Sequence, residues 1–179
     1  GKNIEELTSL AAKVEPGSGG LISCSEVFGV RVPQSYPNVR GFIIGISEKN
    51  FTHGNIFRSF LEASGYALKL MLDAIEETTG VTINDLRISG GASRNDLLLQ
   101  IVADITGREV KAIYEPDAAV GSALLAMSNV LGRDLEELAE KTIKIRMSCS
   151  PNLEYHSIYS RLVEKYKEII LSLNKVFSQ

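Results

Sequence analysis

A layered α/β fold is what this sequence predicts, and three observations carry that expectation. Short apolar runs at 86–89 and 109–113 alternate with longer segments of helical periodicity at 95–106 and 116–131. A glycine stands just past each of three periodic segments, at Gly80, Gly107 and Gly132, where a helix ends most cheaply in a left-handed residue. The 179 residues are 44% hydrophobic and 23% charged, which suits a packed core and excludes a disordered chain.

The elements follow in order. Residues 3–13 carry Ile4, Leu7, Leu10 and Ala11 at helical spacing, and Pro16-Gly17-Ser18-Gly19-Gly20 breaks that helix. Residues 21–24 form a buried strand, 29–38 a loop punctuated by Pro33 and Pro37, and 40–46 a strand apolar enough to be covered on both faces. A long helix over 54–79 is capped by Thr52 and closed by Gly80. Its stripe of Ile56, Phe57, Phe60, Leu61, Ser64, Tyr66, Leu68, Met71, Leu72 and Ile75 reads as core packing. Strand 86–89, the Gly90-Gly91 turn, helix 95–106, strand 109–113 and helix 116–131 come next. A short helix over 134–141, an edge strand over 143–147 and an amphipathic helix over 153–177 complete the chain. In such folds ligands sit at the C-terminal ends of strands.

Composition excludes several functions. A net charge of −3 gives no cationic footprint for nucleic acid. The terminal helix mixes acids and bases as a solvated face does, and no apolar run approaches the ~20 residues of a membrane span. Cys24 and Cys149 lack metal-ligand spacing and read as free, inert thiols of a reducing compartment. His53 and His156 have no partner at useful spacing, so no metal site is expected and both read as surface or cap residues. The charged opening, Gly1-Lys2-Asn3, is no secretory signal, so the expected location is cytoplasmic. A leading Gly without Met fits a cloning remnant or an excised fragment.

One segment carries chemistry. Ile88-Ser89-Gly90-Gly91-Ala92-Ser93-Arg94-Asn95 leaves a strand through a glycine pair and enters a helix. Glycines let a ligand approach backbone amides, and a helix start offers unpaired N–H groups with a partial positive charge. Asn95, placed in the first helical turn, has an amide able to pair with a ring nitrogen or a hydroxyl. A plain strand-to-helix turn fits the same residues, and both readings stand. There is no GxxxxGK[ST] phosphate loop, and Ala92 and Asn95 occupy places where a dinucleotide fingerprint has glycine. A second cluster, Glu115-Pro116-Asp117-Ala118-Ala119-Val120-Gly121-Ser122-Ala123, starts a helix that is at once rich in small residues. Gly121 costs about 1 kcal/mol inside a helix, which predicts close packing against a neighbour.

Taken in order, these segments resemble the FGGY carbohydrate kinases. Gly29-Val30-Arg31-Val32-Pro33 with Pro37-Asn38-Val39-Arg40-Gly41 is similar to the family's G-E-R-x-P … P-x-A-R-G stretch, and Arg58-Ser59-Phe60-Leu61-Glu62 to its R-A-x-L-E-G. Residues 86–92 with Asn95, then Gln100 to Val110, resemble L-R-x-S-G-G … N … Q-x-x-A-D-x-x-G-x-x-V. Glu115 with residues 118–123 resembles E-x-x-A-L-G-A-A. The resemblance covers about residues 14–132. Val30 stands where the family usually has Glu, Ala63 where it has Gly and Asn55 in place of a frequent His, changes that bear on the sugar more than on the nucleotide.

The resemblance implies an actin-like ATPase (ribonuclease H-like) lobe, a mixed sheet flanked by helices. Residues 1–179 would be most of the C-terminal, nucleotide-binding lobe of a two-lobe enzyme, without its N-terminal lobe. Such an enzyme uses ATP with Mg2+ to phosphorylate a sugar or polyol hydroxyl. Gly90, Gly91, Ala92 and Asn95 would hold the adenosine side of the nucleotide. The catalytic aspartate, the phosphate loop and most sugar contacts would precede Gly1, so no catalytic residue is assigned and the chain alone is expected to be inactive. Expected partners are ATP or ADP and a small sugar or polyol, with homo-oligomerisation left open. The alternative is a non-catalytic nucleotide-sensing or interaction module on the same fold. A dinucleotide-dependent oxidoreductase is opposed by the missing glycines.

Overall fold

The structure is a computed structural model that describes residues 1–31, 33–114 and 118–178. Helix α1 (Ile4–Ala11) opens with a reciprocal capping box, in which Asn3 accepts from the Glu6 N–H and the Glu6 carboxylate accepts from the Asn3 N–H. A 3-10 turn at Ser18–Gly20 leads into β1 (Ile22–Cys24), which pairs antiparallel with β2 (Phe42–Ile44). Helix α2 (His53–Thr79) spans the molecule, capped by the Thr52 hydroxyl and closed by Gly80 at φ +69°. Then come β3 (Leu86–Ile88), a 3-10 turn at Gly91–Arg94, α3 (Asp96–Thr106), β4 (Val110–Ile113) and α4 (Ala118–Leu131). The chain finishes with α5 (Leu135–Thr142), β5 (Ile145–Cys149) and α6 (Leu153–Phe177). Strands β3 and β4 are parallel and β5 joins β4 antiparallel, giving a mixed three-stranded sheet beside the separate β1–β2 pair.

Helix α3 explains why the molecule holds together. It is buried on two sides, and its residues join two apolar clusters. Ile101 and Ile105 pack with β1, Tyr66 of α2 and Tyr159 of α6. Leu99, Val102 and Ala103 pack with Leu72, Val110, Ala112 and Cys149 against the sheet. Near-continuous apolar character is what such a helix requires. Its contact with α2 is close at Gly65, where a Cβ would lie 2.5 Å from the Ile105 side chain. Its far end is fixed to α6: buried Asp104 accepts from the Gln100 amide and the Asn152 N–H, both at 2.8 Å.

Four expectations need correction. The strand expected over 40–46 shrinks to three residues and is half-covered, because it pairs with β1 alone and leaves Ile44 and Ile46 exposed. The buried face of α2 is only partly the apolar stripe: Tyr66 and Leu72 are buried, but Arg58, Ser59, Glu62 and Ala63 share that face and Ile75 is exposed. This happens because Glu62 is wholly buried by the neighbours it recruits: its carboxylate accepts from the Gly17 N–H (2.9 Å), the Ser18 hydroxyl (2.7 Å), Arg58 Nε (2.8 Å) and the Tyr159 hydroxyl (2.9 Å). The edge strand falls at 145–149, since α5 runs on to Thr142. Gly121 makes no close approach: a Cβ there would meet nothing within 4 Å, and α4 packs chiefly on α5. The Glu115-Pro116-Asp117 start expected for that helix lies outside the described residues. Among the described residues no helix is long and apolar enough to cross a membrane.

Candidate functional site

The segment singled out by sequence, Gly90 to Asn95, leaves the C-terminal end of β3 and enters α3 through one turn of 3-10 helix. Gly90 adopts φ +77° with ψ −162°, a conformation that only glycine reaches cheaply. The turn is closed from within: the Ser93 N–H and hydroxyl both donate to the Gly90 carbonyl, at 3.2 and 2.8 Å, and the Asn95 N–H donates to the Ala92 carbonyl at 3.2 Å. The Gly91 and Ala92 N–H groups have no acceptor among the described residues. A Cβ placed on Gly90 or Gly91 would meet nothing within 4 Å, so the backbone here lies open to solvent.

Asn95 is the cap of α3 and not part of its first turn, a correction to the sequence reading. Its Oδ1 accepts from the Leu98 N–H at 3.1 Å and its Nδ2 donates to Thr8 Oγ1 at 3.3 Å. The cap fixes the side chain; the second contact is long enough to be exchanged for a ligand acceptor.

A 390 Å³ cavity opens beside this turn, lined by Gly91, Arg94, Asn95 and Asp96 on one wall and by Ile4, Glu5 and Thr8 of α1 on the other. The structure therefore brings Gly91 and Asn95 to one cavity, with Gly90 and Ala92 in the same turn. Sequence reasoning missed the α1 wall, because Ile4 and Thr8 carry only a helical period and no motif. It also missed Arg146. That residue reads as one base on an alternating edge strand, yet its Nη2 donates to the Ser93 carbonyl at 2.7 Å and to Asp96 Oδ1 at 2.6 Å. A smaller cavity of 170 Å³ between α2 and α6 contains none of the expected site residues.

Other polar candidates have structural roles. His156 is half-buried, its Nδ1 2.9 Å from the Asp104 carbonyl and its ring against Gly107, so of the two roles expected it takes that of a cap, fastening α6 to the end of α3. His53 is exposed at the start of α2. Both cysteines are free and buried. Burial, with Asp96 and Asp104 nearby, pushes the Cys149 thiol up, away from the thiolate a nucleophile needs. Val30 and Ala63, two of the three departures from the family pattern, are core residues.

Comparison with known proteins bears on the family and the fold. The sequence model of the FGGY family of carbohydrate kinases, C-terminal domain, matches residues 2–130. The chain is 31% identical over 167 residues to a xylulose kinase from Haemophilus influenzae, covering 92% of this chain and 34% of that protein. It is 39% identical over 145 residues to a glycerol kinase from Clostridium beijerinckii, covering 80% and 28%. Among solved structures, a ligand-bound xylulose kinase from Lactobacillus acidophilus superposes with a TM-score of 0.86 at 20% identity, covering 99% of this chain and 36% of that one. A glycerol kinase from Plasmodium falciparum, solved with ADP, superposes at 0.78 and 20% identity, covering 94% and 34%. The chain thus spans about a third of the length of the curated relatives it matches.

Proposed function

The chain belongs to the FGGY family of carbohydrate kinases, and from that premise we propose that residues 1–179 supply the nucleotide wall of an enzyme that phosphorylates a sugar or polyol hydroxyl with ATP. On this reading the chain is most of the C-terminal lobe. A second lobe brings the acceptor, the base that takes its proton and the metal-bearing phosphate site. The observation that carries the reading is the open turn after β3, where Gly91, whose N–H has no acceptor among the described residues, lines a cavity of 390 Å³. That volume suits a nucleoside. Backbone donors fit its polar edge, and Asn95 offers an amide beside them.

The chain's own residues bind and orient; they move no proton. Gly90 and Gly91 keep the wall free of side chains, Asn95 starts α3 at the cavity, and Thr8 closes the opposite side. Phosphoryl transfer is a matter of positioning and charge stabilisation, so a fixed nucleotide wall is a real contribution. Mg2+ would be held chiefly by the nucleotide phosphates and water, since among the described residues no three His, Cys, Asp or Glu side chains converge on a site for it.

Gly91→Val tests the reading. Gly91 has ordinary backbone angles and space around it, so the variant should melt like the wild type while its branched side chain covers the wall. Binding of ADP, followed by titration calorimetry, should be lost. Equal affinity with an unchanged melting curve would remove Gly91 from the site.

A further inference from the structure

Arg146 lies on β5, beyond residues 2–130 that the family pattern covers and outside every motif of the sequence. Its guanidinium reaches back across the sheet edge to the glycine turn. One nitrogen, Nη2, serves both the Ser93 carbonyl and the Asp96 carboxylate, so a single cation joins the 3-10 turn to the first residue of α3.

Two consequences follow from elementary chemistry. The carbonyls of Gly90 and Ala92 are satisfied within the turn, whereas that of Ser93 takes its partner from another element. In a trans peptide the carbonyl and the next N–H point in opposite directions, so holding the Ser93 carbonyl sets the direction of the Arg94 N–H. Arg94 lines the cavity. Asp96 lines it as well, and an unpaired carboxylate there would repel a polyanion. The ion pair with Arg146 neutralises it at 2.6 Å.

We propose that Arg146 is a positioning residue for nucleotide binding: it fixes the Gly91–Arg94 turn and masks the Asp96 charge without touching the ligand. The inference rests on the reading of Gly90 to Asn95 as the nucleotide wall. The guanidinium is partly exposed, 30% for its side chain, so it can be replaced without opening the core.

The test uses the 179-residue chain with ADP as the probe, following backbone amides by NMR and amide hydrogen exchange without ligand. Arg146→Ala should weaken ADP binding by about fivefold, the worth of one net hydrogen bond of ~1 kcal/mol, and speed exchange at residues 93–96 with little change in melting temperature. Arg146→Lys, which keeps the charge but reaches one acceptor, should fall between, and it carries the same test should the Ala variant not fold. The double variant Arg146→Ala with Asp96→Asn should recover part of the lost affinity, as charge masking requires. Wild-type affinity in both single variants, with wild-type shifts at residues 90–95 intact, would overturn the role of Arg146 while leaving the nucleotide wall standing. No shift in the wild-type chain itself would overturn the wall, and this proposal with it.

Discussion

Glu62 shows how a catalytic-looking residue can be wholly structural. It is a buried carboxylate beside a buried arginine, and in a cleft that pairing would suggest chemistry. Here every neighbour is a piece of scaffold. Glu62 accepts from the Gly17 N–H, the Ser18 hydroxyl and both tyrosine hydroxyls, while Arg58 donates on to the Ala11 carbonyl at 3.3 Å and the Tyr159 hydroxyl at 2.9 Å. Burial first, then the Glu62 charge, raises the ionisation of Tyr66 and Tyr159 far above the ordinary range, so both stay neutral donors. Three segments, the 17–18 turn, α2 and α6, therefore meet on one carboxylate. Glu62→Gln leaves the Arg58 cation buried and unbalanced, and urea denaturation should show a loss of about 3–5 kcal/mol. A loss under 1 kcal/mol would mean that the network is ornamental. Sequence reading found Arg58 and Glu62 only as letters of a motif. Their burial was illegible, because helical periodicity registers apolar side chains and a buried ion pair looks like surface.

Elements with strong local signals were read well, and those set by distant partners were not. Helices α2 and α3 follow from the Thr52 cap and the glycine stops at Gly80 and Gly107, and α6 from its amphipathic period, all encoded within a few residues. The exposure of β2 and the looseness around Gly121 depend on what lies across from them, which no local pattern states. The site divides the same way: the glycine turn was legible, whereas Thr8 and Arg146 reach it only through the fold. A similar tertiary tie joins α2 to the segments that precede β3 and β4. Glu76 accepts from the Ile83 N–H and from Arg108, both at 2.6 Å, and these bonds hold its carboxyl below the usual 4.5. A depressed folded-state ionisation stabilises above the unfolded value and is lost as pH falls through the folded one. Wild-type melting temperature should therefore drop on acidification below about pH 4.5, and Glu76→Gln should flatten that slope. Parallel wild-type and variant curves would show that Glu76 contributes nothing to acid stability.

At the scale of the whole molecule, α3 links packing to function. Its apolar faces join both clusters of the core, its far end is pinned by Asp104 and His156, and its near end begins at the open turn. A rigid helix ending at a cavity is a sound platform for binding, and a poor enzyme by itself. One wall provides few of the contacts that offset the cost of immobilising a ligand, so affinity should be weak, and transfer needs an acceptor and base held together with the nucleotide. The measurement that tests this most directly is an amide-resolved NMR titration of the 179-residue chain with ADP, followed by an assay of sugar-dependent ATP turnover on the same sample. Shifts confined to residues 89–96 and the facing Ile4 to Thr8 segment at millimolar ADP, with no turnover, are the expected result. Absence of any shift from Gly90 to Asn95, or turnover by this chain alone, would contradict it.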